Sequence, residues 1–256
     1  MKKKEFKIMP LQIGWKYLPF KEIRVKSSSF CSSLNGLRIV QLSDLHLTKR
    51  VKPDYLKNLV EKINEIKPDI VLFSGDIIQT SALKVKEHLE HFKNLEAPSY
   101  YVSGNHDIVY GLKDLNEIMC KNGVVCLDNK IVCINVKGST LQLVGLSDRY
   151  SFVRGIKRPI KELFLKLNPD LSTILLAHQP KDISHVDDFR IDVQLSGHTH
   201  GGQIFPISLM VKLFQPYFSG LYMYKKTVLY VTNGLGYWGL NIRYKAQSEI
   251  AVLTIN

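Results

Sequence analysis

Five times along this chain of 256 residues, a short apolar run passes directly into a polar cluster built from Asp, His or Asn. The clusters are Ser43-Asp44-Leu45-His46, Ser74-Gly75-Asp76, Ser103-Gly104-Asn105-His106-Asp107, Ala177-His178, and Ser196-Gly197-His198-Thr199-His200-Gly201-Gly202. The runs before them, at 37–42, 70–73, 100–102, 174–177 and 193–195, are short and rich in branched or aromatic side chains, which predicts buried strands. In open α/β sheets the loops at the carboxyl ends of the strands build the site. The five clusters are therefore expected to converge.

The segments between the strands support an α/β reading. Pro53 and Asp54 open a helix whose Leu56, Leu59, Val60, Ile63 and Ile66 share one face and which closes before Pro68. A second helix is predicted over 81–95, with Val85, Leu89 and Phe92 inward, and a third over 112–120, ended by Asn122-Gly123. Such alternation implies a mostly parallel sheet. Short alternating strands come next at 124–127, 130–136 and 140–146, with later ones at 227–231 and 250–254. The expected architecture is a layered α/β sandwich whose second half is richer in antiparallel strands.

What converges is five His, three Asp and one Asn, a mixed imidazole and carboxylate set suited to Mn, Fe, Zn or Co. A lone D-x-H is most often an ordinary turn, and G-D after a strand is weaker still. G-N-H-D and G-H-T-H say more, because imidazoles on glycine-flanked turns have little structural purpose. The glycines let the backbone turn sharply and approach an anion closely. His88, His91 and His185 lie outside the clusters and read as solvated positions.

The ordered set D-x-H, G-D, G-N-H-D, a lone His and G-H-x-H resembles the calcineurin-like metallophosphoesterase superfamily. With Gly-His-Thr-His-Gly-Gly-Gln203 and the later Asn233-Gly-Leu-Gly236, it looks like the bacterial branch of small membrane-associated phosphodiesterases and the chlamydial-type UDP-2,3-diacylglucosamine pyrophosphatase. The resemblance implies a four-layer α/β/β/α sandwich with mixed sheets and the active site at the carboxyl ends of the strands. It implies two divalent metal ions, Mn first and Fe, Zn, Co or Mg as alternatives. Asp44, His46 and His200 would hold one ion, Asn105, His178 and His198 the other, with Asp76 between them. Such a pair activates a water for in-line attack on phosphorus. His106 is then the residue that protonates the leaving oxygen or neutralises the transition state, Asp107 orients its ring, and Arg149 is a candidate contact for a substrate phosphate.

Charge and aromatic residues bear on the substrate. Lys plus Arg number 35 against 23 Asp plus Glu, a formal net charge of +12 that attracts anions. Residues 1–26 hold eight Lys/Arg against Glu5 and Glu22, interleaved with Phe6, Ile8, Trp15, Tyr17 and Phe20. Residues 205–245 hold five bases and no acid, among Phe205, Phe214, Tyr217, Phe218, Tyr222, Tyr224, Tyr237 and Trp238. Such stretches fit a membrane interface. No nucleic-acid module accompanies them.

The expected organisation is a basic aromatic arm over 1–36 and a catalytic domain over 37–256, with an aromatic basic insertion at about 204–226. Lys2, Lys3 and Lys4 resemble a signal peptide start, but Pro10, Lys16 and Pro19 interrupt the apolar stretch a signal would need. Cys31, Cys120, Cys126 and Cys133 lack C-x-x-C spacing and read as reduced core filler. The expected setting is the cytoplasm, peripheral on the inner face of the cytoplasmic membrane. The leading function is hydrolysis of a phosphodiester or pyrophosphate bond in a lipid-linked substrate such as UDP-2,3-diacylglucosamine, giving lipid X and UMP in lipid A biosynthesis. The alternatives are a soluble nucleotide or small phosphodiester as substrate, and a non-catalytic scaffold.

Overall fold

In β3 (Arg38–Leu42) successive side chains part to opposite faces, as the two-residue period of a strand requires. Val40 and Leu42 join one buried cluster while Ile39 joins another. Both faces are dry, so this strand and those like it read as unbroken apolar runs. The structure, a computed structural model, describes residues 11–27 and 29–256.

In chain order, β1 (Gln12–Ile13) and β2 (Phe20–Val25) precede β3, α1 (Pro53–Ile66), β4 (Ile70–Phe73), α2 (Lys86–Leu89), β5 (Ser99–Tyr101), α3 (Asn105–Tyr110), α4 (Leu112–Lys121) and β6 (Val124–Cys126). The second half runs β7 (Lys130–Val136), β8 (Ser139–Leu146), α5 (Ile160–Phe164), β9 (Ser172–Ala177), β10 (Val193–Ser196), α6 (Ile207–Phe214), β11 (Gly220–Tyr224), β12 (Thr227–Val231), β13 (Ile242–Arg243) and β14 (Ile250–Ile255). One six-stranded sheet has the order β2-β14-β3-β4-β5-β6, and the other β11-β12-β10-β9-β8-β7. Both are mixed: β3 to β6 are parallel while β14 runs against β3, and β8, β9, β10 and β12 are parallel between antiparallel β7 and β11.

Three apolar clusters separate four layers. Leu56, Leu59 and Ile63 of α1, with Leu115 and Met119 of α4, cover Val40, Val71 and Val252 on the outer face of the first sheet. Ile39, Leu72 and Leu253 meet Leu143, Ile174, Leu195 and Tyr230 between the sheets. Leu163 and Phe164 of α5, with Ile183 and Val186, cover Val144, Leu175 and Leu229 beyond the second sheet. This is the α/β/β/α sandwich expected from the sequence.

Several local expectations need correction. The domain boundary at 37 cuts through the fold, because β2 pairs with β14 from Phe20↔Ile250 to Val25↔Ile255, and Ile23, Val25, Phe30 and Leu34 are buried between the sheets. Residues 1–10 of the arm, with Phe6 and Ile8, lie outside the described residues. The helix predicted over 81–95 is broken into α2 flanked by 3-10 turns at Ala82–Val85 and Glu90–Asn94, although Val85, Leu89 and Phe92 do point inward. His88 is buried, its Nε2 2.5 Å from the Val51 carbonyl oxygen, and is not solvated. The cysteines are free thiols, but Cys31, Cys120 and Cys133 are exposed and fill no core. Among the described residues no helix is long and apolar enough to cross a membrane.

Candidate metal centre

The carboxyl ends of β3, β4 and β5 in the first sheet face those of β9 and β10 in the second, and the five polar clusters occupy these ends. The backbone that carries them is unusual. Asp44, His46, Asp76, His198 and His200 all have φ between +46° and +72°, a region costly for residues with a Cβ and characteristic of functional loops. Hydrogen bonds between neighbouring strand ends within each sheet hold the loops in place: Asp44 N–H donates to the Gly75 carbonyl at 2.9 Å, His46 N–H to the Asp76 carbonyl at 3.0 Å, and Gly197 N–H to the His178 carbonyl at 3.0 Å. Two glycines are required by close approach. A Cβ at Gly104 would lie 2.1 Å from Asp76 Oδ1, and one at Gly197 would lie 2.2 Å from Asp44 Oδ2.

All seven residues singled out as metal donors come together in two groups. In the first, His46 Nε2 is 2.9 Å from His200 Nε2, and Asp44 Oδ1 is 3.3 Å from His200 Nε2 and 3.9 Å from His46 Nε2. In the second, His198 Nδ1 is 3.1 Å from Asn105 Oδ1 and 3.3 Å from His178 Nε2. Asp76 Oδ2 reaches both, at 3.6 Å from His46 Nε2 and 3.2 Å from His178 Nε2. The other Asp76 oxygen accepts the His106 N–H at 2.8 Å, which fixes the carboxylate. Each group draws on both sheets: Asp44, His46, Asp76 and Asn105 follow strands of the first, and His178, His198 and His200 follow strands of the second.

Burial keeps the imidazoles of His46, His198 and His200 neutral. It depresses His46 and His198 to about 3 each, and takes His200 well below the ordinary value, helped by neighbouring His46 and Arg243. Burial also pushes Asp44 up to about 6. It opposes charge on His178 and Asp76 too, but their contact outweighs it, raising His178 and lowering Asp76. His178 Nδ1 sits 2.8 Å from the Ser74 carbonyl oxygen, which takes its N–H and leaves Nε2 toward the cluster, as in metal-bound imidazoles. Imidazoles, buried carboxylates and one amide oxygen turned to a common space fit two borderline divalent cations.

His106 lines the same cavity, its ring edge-on to His46 at a centroid distance of 4.6 Å. Asp107 does not orient it. The Asp107 oxygens accept N–H groups of Ile78 at 3.0 Å and Gly104 at 2.9 Å, because the residue falls in the first turn of α3 and caps it. Burial, with the Asp76 charge, pushes Asp107 up to about 8, while His106 Nδ1 is buried without a hydrogen-bond partner among the described residues. Arg149 stays off the cavity wall, with Nη1 3.0 Å from Asp182 Oδ1, and Asp182 is shared with Arg158 at 2.6 Å.

Two residues were given no structural role in the sequence reading. Arg243, counted there among surface bases, is 1% exposed. Its guanidinium donates to the carbonyls of His200 at 3.1 Å, Asn233 at 2.9 Å and Gly236 at 2.6 Å, and Nη2 lies 3.1 Å from His200 Nδ1. Gln203 donates to the carbonyls of Trp238 at 2.7 Å and Leu240 at 2.9 Å and accepts the Trp238 N–H at 2.7 Å. The only signal for either is its position, Gln203 beside the last His cluster and Arg243 after the Asn233-Gly-Leu-Gly236 turn.

The model of the calcineurin-like phosphoesterase family matches residues 37–202, more than half of the chain and the whole span of the five clusters. The chain belongs to that family. This calcineurin-like phosphoesterase is 38% identical over 224 residues to an uncharacterized metallophosphoesterase of Helicobacter pylori, covering 86% of this chain and 60% of that one. It therefore spans about three fifths of the length of the first relatives it matches. It is also 29% identical over 283 residues to the UDP-2,3-diacylglucosamine pyrophosphatase LpxG of Chlamydia trachomatis, covering 86% of this chain and 84% of that one. The NAD nucleotidase NadN of Haemophilus influenzae superposes with a TM-score of 0.55 at 16% identity, over 78% of this chain and 45% of that one, a likeness of fold.

Proposed function

We propose that this phosphoesterase hydrolyses a phosphodiester or pyrophosphate bond with two divalent ions, one held by Asp44, His46 and His200, the other by Asn105, His178 and His198, and both by Asp76. One observation carries the assignment: Asp76 Oδ2 lies between the two donor groups, 3.6 Å from His46 and 3.2 Å from His178. Mn is the first candidate, with Fe, Zn, Co and Mg as alternatives. Ions bound there supply Lewis-acid polarisation of phosphoryl oxygens and a water made nucleophilic at neutral pH. His106 gives a ring N–H to the leaving oxygen as its bond to phosphorus breaks. Asp107 acts behind it as the cap that sets where α3 begins, and so where His106 stands.

The substrate is lipid-linked in this reading, and the enzyme works peripherally on the inner face of the cytoplasmic membrane. A cavity of about 410 Å³ supports it, extending from His106, His198 and His200 along Ile204, Val211, Trp238 and Leu240. That wall suits an apolar chain better than a second nucleotide. UDP-2,3-diacylglucosamine, named in the activity of the Chlamydia relative, is the first candidate, cleaved to lipid X and UMP. The test is a substrate panel with purified protein and Mn: UDP-2,3-diacylglucosamine in detergent and in vesicles, cyclic nucleotides, and bis-p-nitrophenyl phosphate. UMP release from the lipid, lost in Asp76→Asn, is expected. Turnover of the soluble diesters alone would assign a soluble substrate, and turnover of none with metal bound would make the chain a scaffold.

A further inference from the structure

The cavity wall contains a helix that uses two faces for different purposes. On α6, Val211 and Gln215 just beyond its end line the cavity, and Ser208 packs on Gly202 of the last His cluster. Leu209, Met210, Leu213 and Phe214 lie on another side, 53%, 62%, 81% and 70% exposed. Trp238 and Leu240, at 58% and 64%, line the cavity and also face solvent, so they stand at its mouth. Gln203 fixes both through their backbones to the same His cluster. A group of large exposed apolar side chains around one cavity mouth marks an interaction site.

We propose that this surface is a membrane-docking element: α6 inserts its Leu209, Met210, Leu213 and Phe214 face into an anionic phospholipid bilayer, with Trp238 and Leu240 at the headgroup level. The cavity then opens at the bilayer interface, and an apolar chain enters from the lipid side without leaving it. The inference rests on the lipid-linked reading and adds the element, the orientation and the route of entry.

Charge selects the bilayer over other occupants. Residues 205–245 contain no acid, and the exposed bases beside the apolar face are held against aromatic rings, Lys212 over Phe218 at 5.0 Å and Lys245 over Phe205 at 4.3 Å. Apolar anchors flanked by snorkelling lysines match an interface with anionic headgroups. A second copy of this chain would bring like charges together on the same face. Of the N-terminal arm, expected at first to share the membrane surface, Trp15 is already engaged, packing on Tyr237 at 5.1 Å and against the helix-covered core of the first sheet.

The experiment is co-sedimentation of the full chain with vesicles of phosphatidylcholine alone or mixed with phosphatidylglycerol, beside turnover of bis-p-nitrophenyl phosphate in solution. Wild type should bind the mixed vesicles. Leu213→Gln/Phe214→Gln should weaken binding by roughly tenfold or more, because two large apolar side chains lose their burial. Lys212→Gln/Lys245→Gln should reduce the preference for the anionic mixture. Soluble turnover should match wild type in Leu213→Gln/Phe214→Gln. Equal vesicle binding by wild type and that double variant, or no binding by wild type, overturns the proposal. So does a dimer by analytical ultracentrifugation that the double variant abolishes while vesicles are ignored. Vesicle binding without turnover of any phosphoester would retain the docking surface and discard the hydrolase reading.

Discussion

His106 and Asp107 are neighbours in sequence with different duties. The sequence placed both beside the metal donors, and the three-dimensional arrangement separates them: His106 lines the cavity, while Asp107 spends both oxygens on backbone N–H groups. A general acid or transition-state donor contributes about 10²–10⁴-fold in rate. His106→Gln should therefore lower kcat by a factor in that range on a substrate with a poor leaving group, and by less on p-nitrophenyl esters, which need no protonation. Metal content, read by elemental analysis, should stay at the wild-type value, because none of the seven donors is touched. Loss of metal together with activity would instead make His106 a ligand, a role its closeness to His46 and Asp76 makes worth measuring.

At the scale of elements, the arm shows what periodicity conveys and what it hides. β3 and β4 are dry on both faces and were legible as continuous apolar runs. α1 was legible because its apolar positions recur on one side. β2 is an edge strand of sequence Phe-Lys-Glu-Ile-Arg-Val in which only Ile23 and Val25 are buried, so its charged residues made it look like a loose basic arm. α6 was hidden because it is only eight residues long and sits within a longer aromatic and apolar stretch, which blurs its periodicity. The convergence of the five polar clusters was legible because each chemical residue lies within a few positions of a strand end, whereas Arg243 reaches His200 through forty-odd residues of intervening fold. Cutting the chain at residue 37 should show the arm's contribution. It would remove Ile23, Val25, Phe30 and Leu34, each worth about 1.5–3 kcal/mol of burial, from a net stability of about 5–15 kcal/mol. Thermal unfolding should show Tm falling by tens of degrees or no cooperative transition, while an unchanged Tm would restore the boundary at 37.

For the whole molecule, ion binding and folding are linked because a preformed donor set exists only in the folded chain. Chelation of the purified protein should abolish hydrolysis and lower Tm, and adding back a divalent ion should restore both. Acid should act in the same direction. In the proposed site His46, His178, His198 and His200 would each present a neutral ring nitrogen to a metal, so protons should compete and metal content should fall as pH drops; it should not fall as pH rises through neutrality. Dialysis across a pH series, with metal analysis of each sample, checks the sign.

Each donor group takes side chains from both sheets, and the sandwich otherwise closes at that end through loops with five residues in left-handed backbone. Ions held there would therefore also be fasteners. In a cell short of metal, the first casualty would be the seam between the two halves, opening the edge strands and apolar faces that proteases and chaperones recognise. The abundance of this protein would then follow metal supply, so starvation would clear the idle enzyme as well as silence it.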